Sequence, residues 1–152
     1  MPATFRPVTF RPAAESDFET LLALRMVALR ESLERLDHFD PERGRRRFRA
    51  EFSLAHTRLI HWNDAFAGCV TVTDPDADGF VWIKTLYLAA DTQGRGVGAA
   101  AMAQILAETD AAGQPTRLSV LIGSDANRFW TRLGYVETHR DALDVYYERH
   151  AR

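Results

Sequence analysis

Cysteine is almost absent from this 152-residue chain: Cys69 is the only one, so no disulfide can form within the chain. A chain without disulfides is consistent with a reducing compartment. Long hydrophobic runs are also missing, since no stretch approaches the roughly 20 apolar residues that a membrane-spanning helix needs. The first residues have neither the basic start nor the apolar run of a secretory signal peptide. We therefore expect a cytoplasmic protein without a membrane segment.

Strong net charge and metal-ligand spacing are missing as well. The formal net charge is −2 at pH 7, too close to neutral to predict binding to nucleic acid or to an anionic membrane. The five histidines form no His-x-x-x-His or similar pair, so no metal site is predicted. The remaining composition, 46 % hydrophobic and 26 % charged, is that of a globular protein. With no internal repeat and no low-complexity linker, we expect a single domain over residues 1–152.

Hydrophobic periodicity predicts an alternation of strands and helices. Apolar residues recur every three or four positions from Phe18 to Leu36, which predicts a helix with a core-facing stripe, and the Ser16-x-x-Glu19 spacing predicts its capping box. The predicted order is strand, two helices, three strands, helix, strand, helix and two strands. Their approximate bounds are 8–11, 16–37, 40–56, 59–62, 67–73, 80–88, 97–113, 118–121, 125–133, 135–136 and 143–147. This order predicts an α+β fold with helices on both faces of one sheet.

A glycine-rich segment follows the longest predicted strand and carries the strongest functional signal. Residues 93–98 read Gln-Gly-Arg-Gly-Val-Gly and lead directly into a helix. Such a turn aims backbone amides and a helix N-terminus into one space, which attracts phosphate oxygens, and Arg95 can hold phosphate bidentately. The Gly-Lys-Ser/Thr of triphosphate loops is missing. The glycine spacing alone is compatible with a dinucleotide motif, but residues 99–152 are too few for the rest of that fold.

Two segments carry a resemblance to a known family. Residues 86–100 closely resemble the acetyl-CoA motif of the GNAT acyltransferase superfamily, whose pattern is Gln/Arg-x-x-Gly-x-Gly/Ala. Residues 127–135, Asn-Arg-Phe-Trp-Thr-Arg-Leu-Gly-Tyr, resemble the second motif of that family. The resemblance implies a mixed, mostly antiparallel central sheet, acetyl-CoA as cosubstrate and an amine as acceptor. Family members are often dimers, so a homodimer is compatible with it.

The resemblance also implies roles for individual residues. The backbone of Leu86 and Leu88 would pair with the pantetheine arm of CoA, and a strand amide near Leu86 would hold the oxyanion. Asn127 would reach the pantetheine, and its other interpretation is a helix cap or local turn. The pyrophosphate would be held by the amides of Gln93, Gly94, Arg95, Gly96, Val97, Gly98 and Ala99.

The acid and the base are less well defined. Trp130 occupies the position where the family often has an acidic tyrosine, but an indole does not give up its proton. Trp130 is therefore predicted either to contact the cofactor as a wall of the acyl pocket or to pack in the core. Tyr87, Tyr135 or water would replace it as the acid. The strand before the turn has no glutamate, so the first two helices, which form the acceptor side in the family, supply the candidates. These are Glu31, Glu34, Asp37 and His38.

Residues 43–49 form a basic run with five arginines. Glu42 and Arg46 have the i,i+4 spacing of an ion pair, which favours a solvated helix face. The alternative is that the arginines attract an acidic acceptor or the ribose phosphate of CoA.

The predicted function is that of an acetyl-CoA-dependent N-acetyltransferase acting on a primary amine of a small molecule or peptide. The alternative is a CoA-binding module that has lost its chemistry and acts as a sensor or interaction partner, which the missing acid and base favour. Neither reading includes a nucleic acid, a membrane or a metal.

Overall fold

A computed structural model describes residues 8–152; the prediction that the chain starts without a signal peptide concerns residues outside this range. The strands are β1 (Val8–Pro12), β2 (Thr57–Trp62), β3 (Ala65–Val72), β4 (Val81–Leu88), β5 (Thr116–Leu121), β6 (Val136–Arg140) and β7 (Asp144–Arg149). The helices are α1 (Phe18–Arg35), α2 (Pro41–Glu51), α3 (Val97–Ala111) and α4 (Ala126–Arg132). The predicted order of elements is confirmed.

The seven strands form one sheet in the order β1-β2-β3-β4-β5-β7-β6. All neighbouring pairs are antiparallel except β4 and β5, so the predicted mixed, mostly antiparallel sheet is confirmed. The parallel pair is short: it joins only Val81 to Thr116 and Trp82 to Arg117. Beyond these residues β4 stays paired with β3 and β5 stays paired with β7, so the sheet opens between β4 and β5.

Side-chain alternation along the strands builds one hydrophobic core on each face of the sheet. On one face α3 and α4 pack against residues such as Val70, Ile83 and Leu118. On the other face α1 and α2 pack against Cys69 and Tyr87. Cys69 is a buried free thiol on β3. Within residues 8–152 no helix combines the length and the apolar character needed to cross a membrane.

Several local predictions need correction. The predicted capping box at Ser16 and Glu19 is wrong: a short 3-10 turn over Glu15–Asp17 precedes α1, and the Ala14 amide donates to the Asp17 carboxylate instead (2.7 Å). Helix α2 ends at Glu51 rather than near residue 56, because its C-cap residue is already extended. Strand β5 begins two residues earlier than predicted, and β6 extends to residue 140.

The stripe of α1 is only partly core. Phe18 and Leu22 are buried under α2, as predicted, but Leu29 and Leu33 line a cavity. The apolar periodicity of α1 therefore serves core packing in its first half and lines the cavity in its second half.

Candidate active site

The opening between β4 and β5 leads into a cavity of about 410 Å³. The middle of β4 and β5 forms its floor, and its walls come from the second half of α1, from α2, from the start of β7 and from α4. A volume of this size fits a small ligand. The cavity brings together segments that are far apart in the sequence, so it is the candidate for the reacting groups.

An irregularity in β4 decides which backbone groups face this opening. In the first half of the strand, the Val81 amide donates to the Pro115 carbonyl on the β5 side (2.9 Å). The Trp82 carbonyl accepts from the Thr73 amide on the β3 side (3.1 Å). Here the backbone amides and carbonyls of even-numbered residues therefore point to β3, and those of odd-numbered residues point to β5.

The alternation then reverses at a β-bulge. The pairing of β3 with β4 shifts by one residue, and Thr85 adopts a φ of 54°, which is rare for a β-branched residue. After the bulge the Ala89 amide donates to the Ala67 carbonyl (2.8 Å), so the backbone amides and carbonyls of odd-numbered residues now point to β3. The amides of Leu86 and Leu88 consequently point into the opening between β4 and β5.

Gly68 permits the close approach of β3 to this bulge. A Cβ atom at Gly68 would lie 2.1 Å from the Tyr87 carbonyl oxygen, so no side chain fits there without moving a strand. Next to it, the hydroxyls of Thr57, Thr71 and Thr85 form a buried hydrogen-bonded row across β2, β3 and β4, with distances of 3.0 and 2.7 Å. The row satisfies these polar groups and ties Thr85 to its unusual conformation.

The glycine turn leads from β4 into α3 as predicted. Gly94 and Gly96 have φ values of 73° and 79°, which favour glycine. Apart from the adjoining residues, no part of the chain between residues 8 and 152 comes within 4 Å of a Cβ placed at either glycine. None of the amides over residues 94–99 donates to an acceptor within residues 8–152. The Gln93 side chain donates to the Leu88 carbonyl (3.2 Å) and so fixes the turn to the strand.

The remaining residues of the turn divide between packing and charge. Val97 is buried, and a Cβ at Gly98 would lie 3.2 Å from Leu88, so the helix packs tightly on the strand end. Ala99 is exposed in the first turn of α3. The Arg95 guanidinium lies 5.9 Å from the Trp62 ring at the edge of the turn. The predicted pyrophosphate contacts thus lie together on the α3 face of the sheet.

The Asn127 side chain is held within the protein. Its amide nitrogen donates to the carbonyls of Ser124 (2.8 Å) and Leu121 (3.2 Å), and its oxygen accepts from the Tyr147 hydroxyl (2.7 Å). The interpretation as a local turn accounts for all of these bonds. Its contact with pantetheine stays a prediction.

Trp130 both packs in a core and reaches the cavity. The side chain is 6 % exposed and lies edge-on to the rings of Phe129 (4.8 Å) and Tyr135 (5.4 Å). It also lines the cavity, as does Tyr87. The Tyr135 hydroxyl is hydrogen-bonded to Thr116 at the closed end of the sheet (2.7 Å) and does not line the cavity. Of the two tyrosines predicted as substitutes for the acid, only Tyr87 lines the cavity.

Only one of the predicted acceptor residues lines the cavity. His38 lines the cavity, but Glu31 and Glu34 do not. Glu34 is exposed and pairs with Arg30 one turn earlier on the outer face of α1 (2.8 Å). Asp37 ends the helix with a φ of 56° and is likewise outside the cavity lining.

Two other acids line the cavity, and sequence reasoning missed both. Glu51, 26 % exposed, lies at the end of α2 and pairs with Arg25 (3.5 Å) and Arg47 (4.0 Å). Asp144 lies at the start of β7, and its carboxylate forms no hydrogen bond or ion pair within residues 8–152. Burial raises the pKa of Asp144; the negative charges of Asp141 and Glu51 add to this effect, and the positive charge of Arg47 opposes it.

One sequence signal could have placed Asp144. In β7 the residues Val145 and Tyr147 are buried against α3 and α4, so the alternating residues Asp144 and Tyr146 face the opposite side. The alternation of buried residues in β7 therefore shows on which face of the sheet Asp144 lies. It does not show that α2 lies over that face, which is what turns the position into a cavity wall.

Tyr87 and Arg25 form a buried polar pair at the cavity. The Arg25 side chain is 9 % exposed and donates to the Tyr87 hydroxyl oxygen (3.1 Å). Burial raises the pKa of Tyr87 well above its ordinary value despite the nearby guanidinium. Tyr87 therefore stays protonated and can donate a hydrogen bond.

The arginine run of α2 serves two purposes. Arg45 and Arg49 pair with Glu19 and Glu15, which fastens α2 to the start of α1. Arg43 and Arg47 line the cavity instead. Since α2 and the glycine turn lie on opposite faces of the sheet, these arginines do not face the predicted pyrophosphate contacts.

Comparison with known proteins agrees with this geometry. Residues 18–135 match the model of the acetyltransferase (GNAT) family. The PaiA N-acetyltransferase of Thermoplasma acidophilum, solved in complex with coenzyme A, superposes with a TM-score of 0.72 at 14 % identity over 95 % of this chain and 99 % of that one. Naa50 of Arabidopsis thaliana, in complex with the bisubstrate analogue CoA-Ac-MVNAL, superposes with a TM-score of 0.66 at 18 % identity over 93 % and 97 %.

A GNAT-family acetyltransferase of Streptococcus agalactiae gives a TM-score of 0.74 at 11 % identity over 95 % of this chain and 96 % of that one. No curated protein sequence matches the chain. At these identities the solved structures establish the fold, and the family model covers well over half of the chain. The protein belongs to the GNAT acetyltransferase family.

Proposed function

We propose that this protein is an acetyl-CoA-dependent N-acetyltransferase that acts on a primary amine of a small molecule or peptide. The observation that carries the proposal is the β-bulge at Thr85, which turns the amides of Leu86 and Leu88 into the opening between β4 and β5. Backbone donors at this place are available to both an extended ligand and a developing oxyanion.

The cofactor would occupy a continuous path of backbone donors. The free amides over residues 94–99 and the positive end of α3 suit the pyrophosphate. Leu86 and Leu88 would pair with the pantetheine arm, which enters the opening and ends at the cavity. The structures of the Thermoplasma and Arabidopsis relatives contain CoA and a CoA–acetyl–peptide conjugate, respectively, which supports this arrangement in the fold.

Bound acetyl-CoA would supply a thioester whose carbon–sulfur bond breaks as the new carbon–nitrogen bond forms. The Leu86 amide would donate to the carbonyl oxygen as it gains negative charge, and such a donor is worth about 3 kcal/mol. A CoA thiol has a pKa of about 8.5, so it can leave as the thiolate. Tyr87 stays protonated and would only donate a hydrogen bond in the cavity.

Asp144 is the proposed general base. Its carboxylate is half-buried, unpaired and directed to the cavity side of β7, and its raised pKa makes it a stronger base than an ordinary aspartate. The proton that the acceptor ammonium or amine loses would move to this carboxylate directly or through water. Glu51 is less suited, because Arg25 and Arg47 stabilise its charged form.

The proposal is tested in two steps. A thermal melt with acetyl-CoA at about 100 times its dissociation constant should raise the midpoint by roughly 5 to 10 °C, and NAD should not. Release of CoA thiol with a panel of amines then tests transfer. Burial raises the pKa of the Cys69 thiol to about 12, so the protein adds little background to a thiol assay. No stabilisation by millimolar acetyl-CoA would contradict the proposal.

The second candidate function is a CoA-binding module without turnover. It is favoured by Trp130, which fills the position of the family's usual acid and is packed between two aromatic rings. Stabilisation by acetyl-CoA without CoA release for any amine would select this alternative.

A further inference from the structure

The walls of the cavity carry more charge than transfer to a simple amine requires. The ionisable residues that line it are Arg25, His38, Asp40, Arg43, Arg47, Glu51, Lys84, Tyr87, Asp144 and Tyr146. They differ in how they are neutralised and in how deeply they lie. These differences indicate the chemistry of the acceptor.

Several of the other ionisable groups have partners within the protein. Arg25 donates to both Glu51 and Tyr87, so its charge has partners inside the wall. Tyr146 donates to Asp141 (2.8 Å). Asp40 accepts from the amides of two residues in the first turn of α2, where it serves as the N-cap. Asp144 is the acid in the lining whose carboxylate has no hydrogen bond or ion pair among residues 8–152, although the charge of Arg47 acts on it.

The exposed cations that line the cavity are Arg43, Arg47 and Lys84, and the exposed carboxylate of Asp40, the N-cap of α2, lines it as well. Arg43 and Lys84 form no ion pair within residues 8–152. Arg47 is 57 % exposed; it pairs with Glu51 at 4.0 Å, which Arg25 already contacts, and its charge also acts on Asp144. Arg43 and Arg47 are four residues apart on one face of α2, and Lys84 approaches from β4. Three cations, Arg43, Arg47 and Lys84, which we call the positive rim, therefore line the same cavity as Asp144.

The cofactor does not account for these cations. The free amides over residues 94–99 lie on the α3 face of the sheet, whereas α2 packs on the other face with Phe18 and Phe48. The phosphates predicted for that turn would therefore be on the far side of the sheet from Arg43 and Arg47. The positive rim is therefore available to the acceptor.

We propose that the acceptor is a small amino carboxylate, whose amine is directed to Asp144 and whose carboxylate is held by Arg43 and Arg47 with help from Lys84. This inference rests on the proposed N-acetyltransferase function and specifies its substrate class. The arginine fork matches a carboxylate bidentately, and the two side chains extend from the same helical face. A polyamine would bring a second cation against the positive rim, so it is disfavoured.

The test compares acceptors that differ only in the carboxylate. Initial rates are measured with free amino acids, each paired with its amide, together with spermidine and O-phosphoethanolamine. The amine of an amide is less basic and more often neutral at a given pH, so this bias acts against the prediction. For the best amino acid we expect kcat/KM at least about tenfold above that of its amide.

Variants test whether the positive rim causes the preference for the amino acid over its amide. In the double variant R43A/R47A the ratio of kcat/KM for the amino acid to kcat/KM for its amide should fall close to one, mainly through a higher KM for the amino acid. The dissociation constant of acetyl-CoA should stay unchanged. R46A is the matched control: Arg46 is an exposed arginine of the same helix that does not line the cavity. All three positions are exposed, so a melting curve is expected to show intact folding for each variant.

The outcomes are separable. Amides, spermidine or O-phosphoethanolamine as the best acceptors would overturn the amino-carboxylate assignment and leave the N-acetyltransferase proposal standing. Equal loss of the acid preference in R46A would also overturn it, because the rim would then not be the cause. Stabilisation by acetyl-CoA without turnover on any amine would overturn the proposed function and this inference with it.

Discussion

The proposed cofactor side and the proposed acceptor side of the candidate active site are built from different kinds of groups. On the cofactor side the groups are backbone amides of β4 and residues 94–99, placed by a bulge and by glycines. On the acceptor side they are side chains from α1, α2, β4 and β7 that surround the cavity. The first kind depends on local backbone conformation, and the second depends on how distant elements pack. Each side should therefore fail under a different kind of substitution.

The largest effect is expected where backbone geometry is directly blocked. Gly68→Ala would place a Cβ 2.1 Å from the Tyr87 carbonyl oxygen, so β3 and β4 must separate at the bulge. We expect a loss of about 3 kcal/mol or more in the free energy of unfolding, because backbone atoms cannot move aside as a side chain can. Chemical denaturation measures this loss, and the remaining folded protein should respond weakly to acetyl-CoA.

Gly44→Ala is the matched control for that substitution. Its Cβ would meet only the Met26 sulfur at 3.6 Å, an ordinary contact, and the position is inside α2. Removing a glycine from a helix interior should stabilise the protein by roughly 0.5 to 1 kcal/mol. If Gly68→Ala were tolerated as well as Gly44→Ala, the bulge would not be held by the close approach of β3.

The next effect concerns a single side chain on the acceptor side. Asp144→Asn keeps the shape of the side chain but removes the base, so kcat/KM for the amine should fall by about 10² to 10³. The dissociation constant of acetyl-CoA should not change, because no cofactor contact is predicted at Asp144. Steady-state rates and a titration with acetyl-CoA measure the two quantities separately.

Glu34→Gln supplies the comparison for this variant, since Glu34 is an exposed acid on α1 outside the cavity. Its activity should equal that of the parent protein. Full activity in Asp144→Asn would refute the assignment of the base and transfer attention to Glu51 or to water.

The same division explains what could be predicted from the sequence. The glycine turn and the helix after it are local, and their residue types report backbone conformations directly. The bulge at Thr85 escaped prediction because threonine rarely adopts a positive φ, and no glycine or asparagine marks the place.

The acceptor side could not be read in the same way. Glu51 and Asp144 are almost a hundred positions apart, and they meet only because β7 inserts between β5 and β6 and α2 covers the open face. Glu31 and Glu34 were predicted from their helix alone, and the periodicity of α1 did not show which face would meet the cavity. Two residues of its apolar stripe, Leu29 and Leu33, face it instead.

A smaller effect should follow from removing a charge on the cofactor side. If backbone amides hold the pyrophosphate, Arg95→Ala should raise the dissociation constant of acetyl-CoA only about two- to fivefold, as expected for an exposed charge, and the effect should shrink at high salt. Arg46→Ala should leave it unchanged. A loss of a hundredfold or more would show that a side chain, and not the backbone, dominates on this side.

The smallest effect is a cost that Asp144 imposes on folding. Burial and the charges of Asp141 and Glu51 raise the pKa of Asp144 in the folded protein more than the charge of Arg47 lowers it. Stability is therefore present below the ordinary pKa of the group and is lost as the pH rises through the folded value. Asp144→Asn removes this loss: its melting point should match that of the parent near pH 4 and exceed it at pH 7 by about 2 °C or less, since solvent screens a half-exposed group. Melting curves across this pH range measure the difference. A variant less stable than the parent at pH 7 would mean that the charged carboxylate stabilises the acceptor side, and that its unpaired state is not a compromise made for catalysis.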